Sequence, residues 1–149
     1  MKRVLIFAVL CAASMVANAH NWLEYSPGGF HILPSSENGK IGATAAMKEG
    51  KLTITLLDLS GRYCKKDADS KFESVGPFRV NGTMVRFEST CVAGWRILRP
   101  ETEKGKEYFA NEITTKPTVV TMTFDQKLSF NSENFESTKK AMIDAESAM

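Results

Sequence analysis

His20 and His31, with Cys11, Cys64 and Cys91, are the side chains of this 149-residue chain best suited to metal ligation or nucleophilic chemistry. Neither histidine stands near a Gly-x-Ser-x-Gly pattern, in which a strained strand-to-helix turn exposes a serine hydroxyl. Cys64 and Cys91 do not sit in a Cys-x-x-Cys spacing, and two thiols without neighbouring histidines do not complete the four ligands of structural zinc. The sequence therefore carries no catalytic motif, and hydrolase chemistry is not expected. It does contain one conditional metal site. If His20 begins the mature chain, its α-amine and imidazole chelate a single ion, and an imidazole from His31 adds a third nitrogen, a donor set suited to Cu(II).

That arrangement resembles the histidine brace of copper-dependent polysaccharide monooxygenases and of some periplasmic copper carriers. The resemblance rests on His20, with His31 as the partner it requires, and it implies copper as the ligand. Such proteins draw their second histidine from a distant part of the fold, whereas here it follows closely, in Phe30-His31-Ile32. The plainer alternative makes His20 an arbitrary first residue and His31 a half-buried strand residue. Met47, Met84 and Met122 fall in different segments and read as core filling, since an unbranched thioether adapts to irregular gaps.

Whether His20 is a first residue depends on what precedes it. Lys2 and Arg3 give a positive start, Val4 to Val16 carries no charge, and Ala17-Asn18-Ala19 places small residues where a signal peptidase reads. Residues 1–19 are therefore expected to be a secretory signal peptide, and 20–149 one exported domain. The apolar run of about 13 residues falls short of the roughly 20 that span a bilayer, so no retained transmembrane segment is expected. Cys11 follows an apolar run, as a lipidated cysteine does, but Leu10 beside it and the apolar residues after it argue against that modification. Lys2 and Arg3 leave with the signal, so Lys plus Arg falls from 19 to 17 and matches the 17 acidic residues. A neutral domain without a basic stripe is a poor partner for nucleic acid, whose binding depends on neutralising phosphates.

In an exported domain the two remaining cysteines, Cys64 and Cys91, read as a disulfide. Closing a loop of about 28 residues stabilises the fold by roughly 3–4 kcal/mol in the chain-entropy account. Around that staple the dominant pattern is period-two alternation in short runs, the mark of half-buried strands. Ile41–Met47 and Lys51–Leu59 form one expected hairpin through Lys48-Glu49-Gly50. Phe78–Phe87 forms another through Asn81-Gly82, residues that accept the positive φ of a two-residue turn. Asn81-Gly82-Thr83 also matches a glycosylation acceptor, but the turn explains it. Asp67–Ser74 reads as a charged loop. Further strands are expected at Cys91–Leu98, Glu107–Ile113, Thr118–Phe124 and Lys127–Phe130, with Pro100–Lys106 a polar turn that Gly105 lets reverse. From Ser132, a plausible N-cap, the alternation gives way to a helix over about 132–147, with Phe135, Lys139, Met142, Ile143 and Glu146 on one face. The expected fold is mainly β: a small antiparallel sandwich or barrel of about 7–9 short strands with a C-terminal helix and one disulfide.

Aromatic and arginine side chains anchor interfaces, and Trp95, Arg96, Arg99 and Tyr108 form the candidate interface on that ground. Trp22 and Tyr25 lie near the mature start. Trp95 also suits a sandwich core, and Glu101, Glu103 and Glu107 interleave with the basic residues around Arg99, as in a solvated turn. The functional expectation is a non-catalytic periplasmic or secreted binding protein that engages a protein or envelope component. Small exported inhibitors, such as those directed at lysozymes, share the format, although none of their motifs is present. Copper binding by His20 and His31 is the first alternative, and a structural subunit of an envelope assembly is the second.

Overall fold

Short alternating runs joined by tight turns build the molecule. A computed structural model of the chain describes residues 20–25, 29–66, 70–122 and 126–148, so the expected signal peptide lies outside the described residues. The strands are β1 (Leu23–Glu24), β2 (His31–Pro34), β3 (Ile41–Lys48), β4 (Lys51–Asp58), β5 (Glu73–Val80), β6 (Thr83–Val92), β7 (Trp95–Pro100), β8 (Thr118–Thr121) and β9 (Lys127–Phe130). Helix α1 (Glu103–Thr115) follows β7, and α2 (Phe135–Ser147) ends the chain. All pairings are antiparallel, in one sheet of order β1-β2-β3-β4-β7-β6-β5-β8-β9. The mainly β fold, the C-terminal helix and the Cys64–Cys91 disulfide stand as expected, with the two sulfurs bonded and the Cα atoms 5.8 Å apart.

Both expected hairpins form. Glu49 and Gly50 have φ of 52° and 72°, and Asn81 and Gly82 have 45° and 86°, the positive values of two-residue turns whose twist matches the strands they join. A third such turn was not anticipated. Ala93 and Gly94, with φ of 50° and 82°, split the expected strand Cys91–Leu98 between β6 and β7. Alanine resists this conformation because its Cβ crowds the carbonyl, so Ala-Gly is a weaker turn signal than Asn-Gly.

The segment Glu107–Ile113, expected as a strand, lies within α1. Its buried residues, Phe109, Glu112 and Ile113, recur at three and four positions, the helical period. Pro100 ends β7 and Thr102 caps the helix, its hydroxyl accepting from the Gly105 N–H at 3.0 Å. Gly105 is therefore no reversal; it lets α1 sit close, since a Cβ there would stand 3.2 Å from Pro100 and 3.3 Å from Val85. Strand β8 ends at Thr121, with 123–125 outside the described residues, and β5 begins at Glu73, inside the expected charged loop.

The expected cap Ser132 does other work. Helix α2 begins at Phe135, and the Ser132 hydroxyl accepts from the Trp22 indole Nε1 at 2.7 Å. Asn134 takes the cap position, but its side chain accepts from the Trp22 amide at 2.7 Å and donates to the Trp22 carbonyl at 3.3 Å. Phe135, Thr138 and Met142 form the buried face, while Ile143 is exposed.

The sheet is open, and polar contacts tie the segment after β2 to its far edge strand. The amide of Ser36, just after β2, donates to the Ser129 carbonyl of β9, and the Glu37 carboxylate accepts from both the Ser129 amide and its hydroxyl. One continuous core fills the inner face, with Leu33, Ala43, Leu56, Phe78, Phe87, Leu98, Leu128 and Phe130 from the strands. Phe109 and Ile113 of α1 and Phe135 and Met142 of α2 close it.

Helix α1 is fixed to the β5–β6 turn through a buried carboxylate. Asn81 Nδ2 donates to Glu112 Oε2 at 2.6 Å, and Lys116 Nζ lies 2.7 Å from Glu112 Oε1. The bond from Asn81 and then that from Lys116 hold the Glu112 carboxyl below the ordinary carboxylate range. A carboxylate depressed in the folded state stabilises it above the unfolded pKa, and the gain disappears as pH falls through the folded value. Glu112→Gln is expected to lose about 1–2 kcal/mol in denaturant unfolding at pH 7. The difference from the parent should narrow at pH 3; a gap independent of pH would contradict this role.

Candidate functional site

Because side chains alternate along a strand, the register that sends Ala43, Leu56 and Leu98 inward sends their neighbours outward. On the outer face Thr44 of β3 lies opposite Thr55 of β4, Ala46 opposite Thr53, Leu57 opposite Ile97 of β7, and Trp95 opposite Val92 of β6. With Phe30 and Ala93 these residues line an open apolar recess of about 360 Å³. The Thr44 and Thr55 hydroxyls bond to one another, which leaves their methyl groups as their main contribution to the surface.

Aromatic rings frame the recess. Tyr25 stacks on Phe30 with centroids 4.8 Å apart and meets the edge of Trp95 at 6.0 Å. Trp95 is 39% exposed and Val92 46%, although both are large apolar residues. An exposed cluster of this kind on a folded surface marks an interaction site more often than a scattered apolar residue does.

The sequence-predicted interface residues separate in space. Trp95 belongs to the recess. Arg99 shares its face, where its Nε bonds Glu88 Oε1 at 2.7 Å and its guanidinium lies 3.6 Å above the Phe72 ring. Arg96 projects to the opposite side of β7 and covers Tyr63, 4.4 Å from its centroid. Tyr108 is on α1, away from the recess, with its hydroxyl donating to the Val80 carbonyl at 3.1 Å. The disulfide ties the loop carrying Tyr63 to β6, and Ser70 reinforces it through its amide to the Cys91 carbonyl and its hydroxyl, which accepts from the Cys91 amide.

His20 lies beside the start of α2, where its carbonyl accepts from the Glu133 amide. His31, opposite Glu24 of β1 and Ala45 of β3, lines a separate cavity of about 160 Å³ with Met47, Met142 and Glu146. The Nδ1 atoms of both histidines are buried without a hydrogen-bond partner. Among the described residues no group of three or more His, Cys, Asp or Glu side chains gathers to hold a metal ion. No helix of the described residues is long and apolar enough to cross a membrane.

Phe30, Val92, Leu57, Ile97 and the outward threonines were not singled out by sequence. The alternation of Thr53 and Thr55 put them on one face, but joining that face to Trp95 required the Ala93-Gly94 turn. No protein-family model, curated protein or solved structure matches the chain.

The two tryptophans differ sharply in setting: Trp22 is 3% exposed and packs on Phe135 with centroids 5.6 Å apart. With Trp95 as the only indole, in Trp22→Phe, fluorescence emission is expected at longer wavelength and more open to acrylamide than in Trp95→Phe. Equal quenching of the two variants would place Trp95 inside the molecule.

Proposed function

We propose that this chain is an exported, non-catalytic binding protein that engages a protein partner of the envelope or its surroundings through the recess around Trp95. The observation that carries the reading is an apolar recess lined by Leu57, Val92 and Ile97 whose rim presents Tyr25, Phe30 and Trp95. Interfaces derive most of their energy from a few aromatic or arginine anchors seated in apolar pockets, and Trp95 has the residue type and position of one. A periplasmic or secreted location agrees with the disulfide and with the apolar segment before Ala17-Asn18-Ala19.

One edge of the sheet bears on the structural-subunit reading. Ser129, in the middle of edge strand β9, has its amide and carbonyl taken by Glu37 and Ser36, which blocks strand exchange there. The copper reading keeps one observation in its favour, the unpartnered Nδ1 atoms of His20 and His31.

A photo-crosslinking residue at position 92, expressed in cells that export the protein, tests the binding reading. A discrete adduct is expected from position 92 and not from position 140, exposed on α2. Trp95→Ala should weaken binding of the crosslinked partner by about 2 kcal/mol, roughly 30-fold in Kd. Equal adducts at both positions, or none at 92, would refute it.

A further inference from the structure

We propose that the cavity between β2, β3 and α2 is a Cu(I) site, with the His31 imidazole and the Met47 and Met142 thioethers as its ligands. It lies on the inner face of the sheet, apart from the Trp95 recess, and does not depend on it.

Three elements bring these side chains together. Residues opposite one another in an antiparallel pair share a face, and His31 lies opposite Ala45, a wholly buried residue of the inner face. Met47, two positions further along β3, returns to that face. It is the diagonal neighbour of His31, a spacing of about 7–8 Å that long side chains cross. Met142 is buried and comes from α2, which packs on β3. The Gly50 amide, at the β3–β4 turn, donates to the Glu146 carboxylate at 3.2 Å and fixes the end of α2 over this part of β3. Ala141 and Ala145, one helical turn apart, leave open the space that larger side chains would fill. The cavity that results is about 160 Å³ in volume, with His31, Met47, Met142 and Glu146 among its walls.

Its size and lining select the occupant. Organic ligands fill pockets of about 300–1,000 Å³, so this space suits an ion or a water. A water meets thioether and methyl walls, which hydrogen-bond weakly or not at all. His31 Nδ1 is the one buried side-chain polar atom of the lining that has no hydrogen-bond partner among the described residues. Thioether sulfur is a soft donor that selects Cu(I), whereas Cu(II) and zinc favour nitrogen, oxygen and thiolate. Glu24 and Glu146 also line the cavity and attract a cation by their charge. They do not gather with His31 into a set of three ligands, which leaves the imidazole and the two sulfurs as the donors.

His20 takes no part. It sits by the start of α2, at the other end of that helix from Glu146, and does not line the cavity. The site is therefore independent of the residue at which the exported chain begins.

The test uses the oxidised protein, with Cys11 alkylated where it is retained and ¹³C at the methionine methyl groups. Cu(I) is supplied as its acetonitrile complex without oxygen. One equivalent is expected to move the Met47 and Met142 methyl resonances and leave that of exposed Met84 in place. Met47→Leu and Met142→Leu, which nearly conserve volume, should each weaken Cu(I) by roughly tenfold or more in competition with a chelator. His20→Ala should leave the affinity unchanged. Unmoved Met47 and Met142 methyls, or a Met84 methyl that moves equally with them, would overturn the site, and this readout needs no substitution. So would Zn(II) binding as tightly as Cu(I), or affinity lost in His20→Ala and kept in both leucine variants.

Discussion

Pro100 lacks an amide hydrogen, and much of the architecture depends on that missing donor. Had the residue opposite Ile54 been able to donate, β4 and β7 would pair beyond Leu56–Leu98 and the inner face would have less room for α1. Because it cannot, the chain leaves β4, takes its cap from Thr102 and lays Phe109 and Ile113 across the core. The cost is a half-strand, Lys51–Thr55, that pairs in the ladder with β3 alone among the described residues. Natural sheets shield such edges, and here the shield is helix α1, packed against β4.

The rest of the fold is closed by polar contacts between distant segments. Trp22 joins the start of the described chain to the approach of α2 through Ser132 and Asn134, and Glu37 joins the end of β2 to β9 through Ser129. Glu112 joins α1 to the Asn81 turn, whose carbonyl oxygen Oδ1 in turn accepts from the Val119 amide. The disulfide secures the remaining long loop to β6. With these contacts in place the outer face needs no further packing, which leaves Trp95, Val92 and Tyr25 exposed to solvent.

Local sequence carried the strands well where turn chemistry was explicit. Asn81-Gly82 and Glu49-Gly50 announce their hairpins because one or both residues tolerate positive φ. Ala93-Gly94 conceals its own, and with it the side-by-side placement of Val92 and Trp95. Helix α1 was hidden for a different reason: Gly105 reads as a breaker, and over seven residues the apolar spacing of Phe109 and Ile113 fits a strand nearly as well as a helix. Ser132 looked like a cap because serine commonly is one, and only tertiary structure reveals that its hydroxyl is taken by an indole 110 positions away. The candidate site was partly visible in Trp95. Its threonine floor was not, because it is a property of register, and register is set by turns that local propensity marks only in part.

The account turns on which β4 amides have no strand beside them. Native-state hydrogen exchange of the free protein reads this directly, since Leu52 and Thr53 are neighbours in one strand and differ only in the side to which they point. The account predicts that the Leu52 amide exchanges rapidly while the Thr53 amide, bonded to β3, is strongly protected. Equal protection of the two would mean that the Leu52 amide has a bonding partner on that side, and would contradict it.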